Sequence, residues 1–322
     1  MAIITGTATT FSGSPGMQGL REDLSDMVYL LSPSDTPFTS NVGRGTADAV
    51  LHEWQTDSLA AINLNNAQFQ GDDIATFSAA SVTARLGNRT QISRKEVIIS
   101  GTLDAVNKAG RRTELAYQMT KRAKELKIDI EGILLSNQAK VVGAAATAPL
   151  CAGILAWLKT NVANVVAGGS NPVGDGSNGR TDGTTPVAIT EVMLKAAMKS
   201  VYTNSSEDLD VIMAGASNKQ AISAFTGGAT KMVDVMKQET VATVDVYVGD
   251  FHTVRIIPNR FQRVRDVFLL NWSYWSVDWL RPITQVPLAK TGDAEKRMLI
   301  GEYTLAAKNE ASSALIADLT AP

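Results

Sequence analysis

The spacing of hydrophobic positions divides the 322-residue chain into segments of different character. Residues 111–142, RRTELAYQMTKRAKELKIDIEGILLSNQAKVV, place Leu115, Met119, Ala123, Leu126, Ile130, Ile133 and Leu134 three or four positions apart. That period draws one apolar stripe along an α-helix. An unbroken helix over this stretch would reach roughly 48 Å at the standard rise per residue. Its other side is charged, and Lys121 with Glu125 and Lys127 with Glu131 stand one turn apart, where opposite charges pair modestly. A single stripe predicts a helix laid on a sheet and is too narrow for a membrane span.

Other segments follow other periods. AVLHEW and SVTARL, within residues 48–100, alternate in the manner of strands and predict a long hairpin with a wide polar loop, NLNNAQFQGDD. A two-stranded ribbon is barely stable in water, so the body of the protein or a neighbouring subunit must cover it. Residues 1–47 read as an irregular arm, broken by turn chemistry at SPSDTPF, with too little apolar surface to fold alone. Residues 187–280 read as a second α/β unit. In it Thr190 caps a helix with Leu194, Ala197, Met198 and Val201 on one face, and LDVIMAGA forms a buried strand. Ser217 caps a helix through Phe225, and TVDVYVGDFHTVRII turns near Gly249 and Asp250. VFLLNW, YWSVDWL, RMLIGEYTLAAKN and SSALIADL supply further strands.

Two stretches invite a sharper reading and do not sustain it. Residues 167–186 hold six glycines and two prolines and predict a flexible surface excursion. The GxGxxG spacing of Gly174, Gly176 and Gly179 lacks the preceding strand and following helix that a dinucleotide fingerprint needs. Residues 141–158 carry no charge, but Pro149 and many alanines point to a buried bend and no membrane span.

Composition narrows the function. At 44% hydrophobic residues the chain can bury a sizeable core, and a net charge of −2 argues against a free nucleic-acid binder. One cysteine, Cys151, and two histidines, His52 and His252, cannot build a Cys/His zinc site. The Walker A, GxSxG and HExxH patterns do not occur, so neither cofactor nor metal is expected, and an enzyme is not the favoured reading. The one enzymatic alternative is an α/β hydrolase built on His52 or His252. The four aromatics Trp272, Tyr274, Trp275 and Trp279 fit a buried strand pair better than a base-stacking surface. Charge, however, is unevenly spread. Residues 22–73 hold nine carboxylates and one basic residue, whereas residues 85–127 hold eleven basic residues and four carboxylates. Such a split sets register between copies. It nominates Arg85, Arg89, Arg94 and Lys95, with Asp72 and Asp73, as contacts between subunits.

Two blocks then resemble a known family, the major capsid proteins of tailed bacteriophages. The first is SPSDTPFTSNVGRGTADAVLHEWQTDSL, where Thr36, Pro37, Phe38, His52, Glu53, Trp54, Asp57 and Leu59 match. The second is NRTQISRKEVIISGTLDAVNKAGRRTELAYQMTKRAKELKIDIEGILL, where Asn88, Gln91, Ile92, Ser100, Gly101, Thr102, Gly110, Glu114, Asp129 and Glu131 match. The resemblance implies an α+β chain of the Hong Kong 97 capsid fold. Its parts would be an N-terminal arm (1–47), an extended loop (48–100) and a peripheral domain with the spine helix (101–186). An axial domain (187–280) and a return to the peripheral domain (281–322) would follow. It further implies hexamers and pentamers closing an icosahedral head around double-stranded DNA, assembled in the host cytoplasm, with scaffold, portal or decoration proteins as partners and no membrane. A chain that opens directly with the arm implies a separate scaffold or none. A nanocompartment shell of the same fold is the runner-up.

Overall fold

The computed structural model describes residues 32–71, 73–74, 77, 79–80, 82–108, 110, 113–205, 207–225 and 245–320. The arm before Ser32, together with Asp72, Arg111 and Arg112, lies outside the described residues. In chain order the first half supplies α1 (Pro37–Asn41), β1 (Gly43–Thr46), β2 (Leu51–Thr56), β3 (Ala84–Arg89), β4 (Gln91–Ser100), α2 (Gly101–Ala105), α3 (Glu114–Leu134) and β5 (Val162–Ala163). The second half supplies α4 (Glu191–Asn204), β6 (Val211–Ala214), α5 (Ala216–Ser223), β7 (Val246–Val248), β8 (Thr253–Pro258), β9 (Val267–Leu270), β10 (Trp275–Pro287), β11 (Ala294–Ala307) and β12 (Ala314–Ile316).

Two sheets organise these elements. The first has the order β1-β10-β11-β4, antiparallel except where β1 runs parallel to β10. Alternation along β4 and β11 turns Val97, Ile99, Leu299 and Tyr303 inward. The stripe of α3 meets that core with Leu115, Met119, Leu126, Ile130 and Leu134 buried, as its spacing predicts. Each such side chain contributes about 1.5–3 kcal/mol on leaving water.

The helix is shorter than the predicted 111–142. It spans 21 residues, Glu114–Leu134, or roughly 32 Å. Its C-terminus is set by tertiary contacts. Gly153 crosses so close that a Cβ would stand 2.3 Å from the Ser136 carbonyl oxygen. The polar residues that follow are used elsewhere: the Asn137 amide spans the Arg180 backbone, Gln138 bonds Gln91 and the Cys151 carbonyl, and Lys140 donates to the carbonyls of Gly87 and Asp175. The predicted pairs also change. Glu125 pairs with Arg122 at 2.6 Å, and Glu131 turns into the core.

The second sheet has the order β5-β12-β9-β6-β8-β7. On one face α4 packs Leu194, Ala197, Met198 and Val201 against Ile212, Val254, Leu269 and Ile316, and the Thr190 hydroxyl caps α4 by accepting from the Met193 amide. The other face, with Val211, Met213, Phe268 and Leu270, joins the core beneath α3. α5 starts at Ala216 with Gly215 as its N-cap, so Ser217 lies within the helix and does not cap it. The sheets also share out the chain differently from a sequential reading: β10 runs across position 280 into the first sheet, and β12 returns to the second. Among the described residues no helix is long and apolar enough to cross a membrane. Residues 151–158 are buried and include a short 3-10 turn, Ile154–Ala156.

The Gly-rich segment is tied down where the sequence predicts an excursion. Ser170 and Thr181 bridge, and Arg180 is buried on Asp318. Gly176, at φ +77°, lies against the Trp157 indole where a side chain would collide. Its glycines serve close approach and left-handed backbone, not freedom.

Candidate assembly surface

The surface begins with the hairpin. β2 and β3 pair from Leu51↔Arg89 to Thr56↔Ala84, and β4 leaves the ribbon for the first sheet. Its base is fastened. Asn88, fully buried, donates to the Leu305 carbonyl at 2.7 Å and accepts from the Ala152 amide at 2.8 Å. His52 Nε2 meets Asp278 Oδ2 at 3.0 Å, and Trp54 packs on Trp157 with centroids 5.3 Å apart. Beyond Thr56 the loop has no such support among the described residues. Leu59 (99% exposed), Ile62, Leu64, Phe69, Ile74, Phe77 and Val82 all face solvent. Single exposed hydrophobics are ordinary, whereas a run of them on one loop marks an interaction surface.

A second surface, of hydrophobic side chains set among the charged Arg94, Glu96, Lys296 and Glu302, lies on the face of the first sheet turned away from α3. There Ile92, Ile98 and Val286 are exposed beside the half-buried Met298 and Ile300, with the pairs Ile300↔Arg94, Met298↔Glu96 and Met298↔Val286 setting the register. Sequence reasoning missed this face. Its signal was the alternation of Ile92, Arg94, Glu96 and Ile98 out of step with Val97 and Ile99.

The nominated charges divide between these surfaces. Arg85, 68% exposed, pairs with Glu53 across the hairpin, and Arg89 lies half-buried at its base. Arg94 pairs with Glu96 at 2.9 Å on that sheet face. Lys95 points the other way and meets Asp129 of α3 at 2.5 Å, so it is engaged within its own chain. Asp73 is exposed on the loop, and Asp72 lies outside the described residues. Arg85 and Arg94 thus also pair within their own chain, on two different surfaces, and Lys95 lies on the opposite face of the sheet from Arg94.

The buried polar groups serve anchoring. Glu131, fully buried, accepts from the amides of Phe38 and Thr39 at 2.8 Å each and from the Asn259 amide at 2.7 Å. It thereby pins the first turn of α1 to α3, with Phe38 sunk beside Trp272. A charged cluster fastens the Gly-rich segment: Arg180 and Arg265 on Asp318, and Arg263 between Asp182 and Asp266. Burial pushes the Asp266 carboxyl up to about 6 against the pull of Arg263. Burial likewise pushes the Cys151 thiol up to about 12, far from a reactive thiolate.

His252 Nδ1 meets Asp208 at 3.3 Å, and its buried Nε2 has no hydrogen-bond partner among the described residues, so no described serine hydroxyl stands on it as a triad requires. Among the described residues no group of His, Cys, Asp or Glu is placed to hold a metal.

Comparison with known proteins agrees with this geometry. The family model described as SU10 major capsid protein matches residues 3–320. The major capsid protein of Escherichia phage Phieco32 is 29% identical over 332 aligned positions, covering 92% of this chain and 94% of that one. Among solved structures, that of Gordonia phage Cozz superposes with a TM-score of 0.62 at 12% identity, over 99% of this chain and 98% of the other. The capsid of cyanophage A-1(L) gives 0.60 at 14% identity, over 94% and 97%. These likenesses show the Hong Kong 97 capsid fold. An α+β chain with a fastened hairpin, a free apolar loop and a helix-backed sheet, matched by the family model almost end to end, belongs to the SU10 family of phage major capsid proteins.

Proposed function

We propose that copies of this chain join as hexamers and pentamers into a closed icosahedral head around double-stranded DNA, and that the loop at 57–83 makes the joint. The observation that carries the reading is the run of seven large apolar side chains on a loop whose base is rigid. Nothing in its own chain covers them among the described residues. The sheet face bearing Ile92, Ile98 and Val286 is the matching receptor on a second copy. The loop carries Asp57, Asp72 and Asp73 and no basic residue, while Arg85, Arg89 and Arg94 sit on the hairpin and that face. Apolar burial would supply the affinity and the charges the register.

In this reading residues 1–47 are the arm, 48–100 the extended loop, 101–186 and 281–322 the peripheral domain and 187–280 the axial domain. The protein acts as a structural component assembled in the host cytoplasm, with scaffold, portal or decoration proteins as further partners. Membership of a phage capsid family favours a head over a nanocompartment.

The test reverses Arg85, Arg89 and Arg94 to Glu together. All three are at least partly exposed, so the subunit should keep its circular dichroism and melting behaviour. Particle yield by sedimentation should fall at least about tenfold, as like charges brought together at each joint cost several kcal/mol. Normal yield would remove the charges from the joint.

A further inference from the structure

The Gly-rich segment bears on the base of the hairpin. It is closed by the Ser170–Thr181 bridge and fastened to the body through the buried Arg180–Asp318 pair. Its apex, Asp175 and Gly176, meets Lys140, whose amide donates to the Gly176 carbonyl at 2.8 Å. The Lys140 ammonium donates to two carbonyls at once, Asp175 on the segment at 2.7 Å and Gly87 on β3 at 2.8 Å. It also stands 5.9 Å from the centre of the Trp157 ring. An ordinary surface lysine lays its stem on the protein and keeps its charge in water. Lys140 instead spends its charge on joining two elements. Trp157 supplies a second path. A Cβ on Gly176 would stand 2.9 Å from Trp157 Cζ2, and the same indole packs on Trp54 of β2 at 5.3 Å. The apex therefore reaches both strands of the hairpin, β3 through Lys140 and β2 through Trp157.

We propose that Lys140 and the apex of the Gly-rich segment set the angle at which the hairpin leaves the body, which makes Lys140 a positioning residue for the joint between copies. The inference rests on the assembly reading above. His52 and Asn88 are partners in the ladder and fix the ribbon at one register position, on Asp278, Leu305 and Ala152. Gly87 and Trp54 lie one and two positions further out. Lys140 and Trp157 thus hold the ribbon at a second point beyond its anchor, and a second point is what fixes an angle. Both bonds of the ammonium have a charged donor, which makes them stronger than neutral ones. From the Glu53–Gly87 pair to the strand ends at Thr56 and Ala84 the ribbon runs about 10 Å. The loop bearing Leu59, Phe69 and Phe77 lies beyond, so a small tilt at Gly87 is magnified where copies join.

The test is double electron–electron resonance on full-length, unassembled subunits. Nitroxides are placed at Ala84→Cys, the exposed end of β3, and at Lys308→Cys, exposed on the body. The native Cys151 is fully buried and stays unlabelled. A second pair, Thr203→Cys with Lys308→Cys, reports on the body alone. Wild type should give a narrow hairpin-to-body distribution. Lys140→Met keeps the stem and removes the ammonium. It should shift that distribution or broaden it about twofold, and leave the body pair unchanged. Gly176→Ala keeps the ammonium and displaces the apex; it should do the same, and it serves if the Lys140→Met variant does not fold. Without labels, particle yield from either variant should fall about threefold or more, because only subunits at the joining angle can add. The proposal is overturned if the hairpin distribution matches wild type, or if both label pairs broaden alike, which would make Lys140 a general stabiliser. An unchanged yield from a loosened hairpin also overturns it, since the angle would then not govern the joint. A wild-type chain that never closes particles, with the hairpin loosening as expected, would remove the assembly reading and leave the brace standing.

Discussion

At the scale of single residues, buried charge decides what is fixed. Asp266 is fully buried, neither of its oxygens has a hydrogen-bond partner among the described residues, and it shares Arg263 with Asp182. Arg180, Arg265 and Asp318 complete the surroundings. Its carboxyl is raised from 3.8 to about 6, so the folded chain holds this proton more tightly than the unfolded one. The stabilising contribution is complete below the unfolded value and is lost as pH climbs through about 6. Asp266→Asn stays neutral throughout. The melting stability of unassembled wild type relative to that variant should drop by about 2 kcal/mol between about pH 4.5 and about pH 7.5. A difference that stays flat with pH would show that Arg263 keeps the carboxylate ionised. Nothing in the sequence announced this cluster, because its members lie far apart in the chain and meet only in the fold. Glu131 was misread for the same reason. One turn from Lys127 it looks like half of a surface pair, but its partners are amides about ninety residues upstream and a side chain far downstream.

At the scale of elements, periodicity was a good guide to what lies inside and a poor guide to where things stop. The α4 face and its Thr190 cap follow from spacing and cap chemistry, which are local. So do the hairpin strands β2 and β3 and the inward stripe of α3. The end of α3 is not local. Asn137, Gln138 and Lys140 have no strong aversion to helix, yet each is drawn to a distant backbone, and Gly153 occupies the space a further turn would need. Gly153→Ala should therefore destabilise the subunit by about 1–3 kcal/mol in chemical denaturation, through overpacking against three carbonyls. A neutral outcome would mean the crossing is looser than the geometry indicates. The Gly-rich segment teaches the converse. Composition suggested freedom, and the structure uses the same glycines for contact with Trp157 and Lys159.

At the scale of the whole molecule, the chain is a layered tile whose surfaces differ in kind. One face of the first sheet mixes exposed hydrophobic with charged side chains, the helix side carries exposed lysines, and a loop on a fastened base carries hydrophobic side chains that no other described residue covers. Seven exposed hydrophobic side chains on one loop suit a contact surface, and the chain belongs to a family of major capsid proteins. The most direct test of this account is sedimentation of the expressed wild-type chain, with negative-stain microscopy of the fast fraction. The account predicts closed shells of megadalton mass, or free hexamers and pentamers that close when a scaffold or portal is supplied. A stable 34.3 kDa monomer that neither forms rings nor closes under those conditions would contradict it.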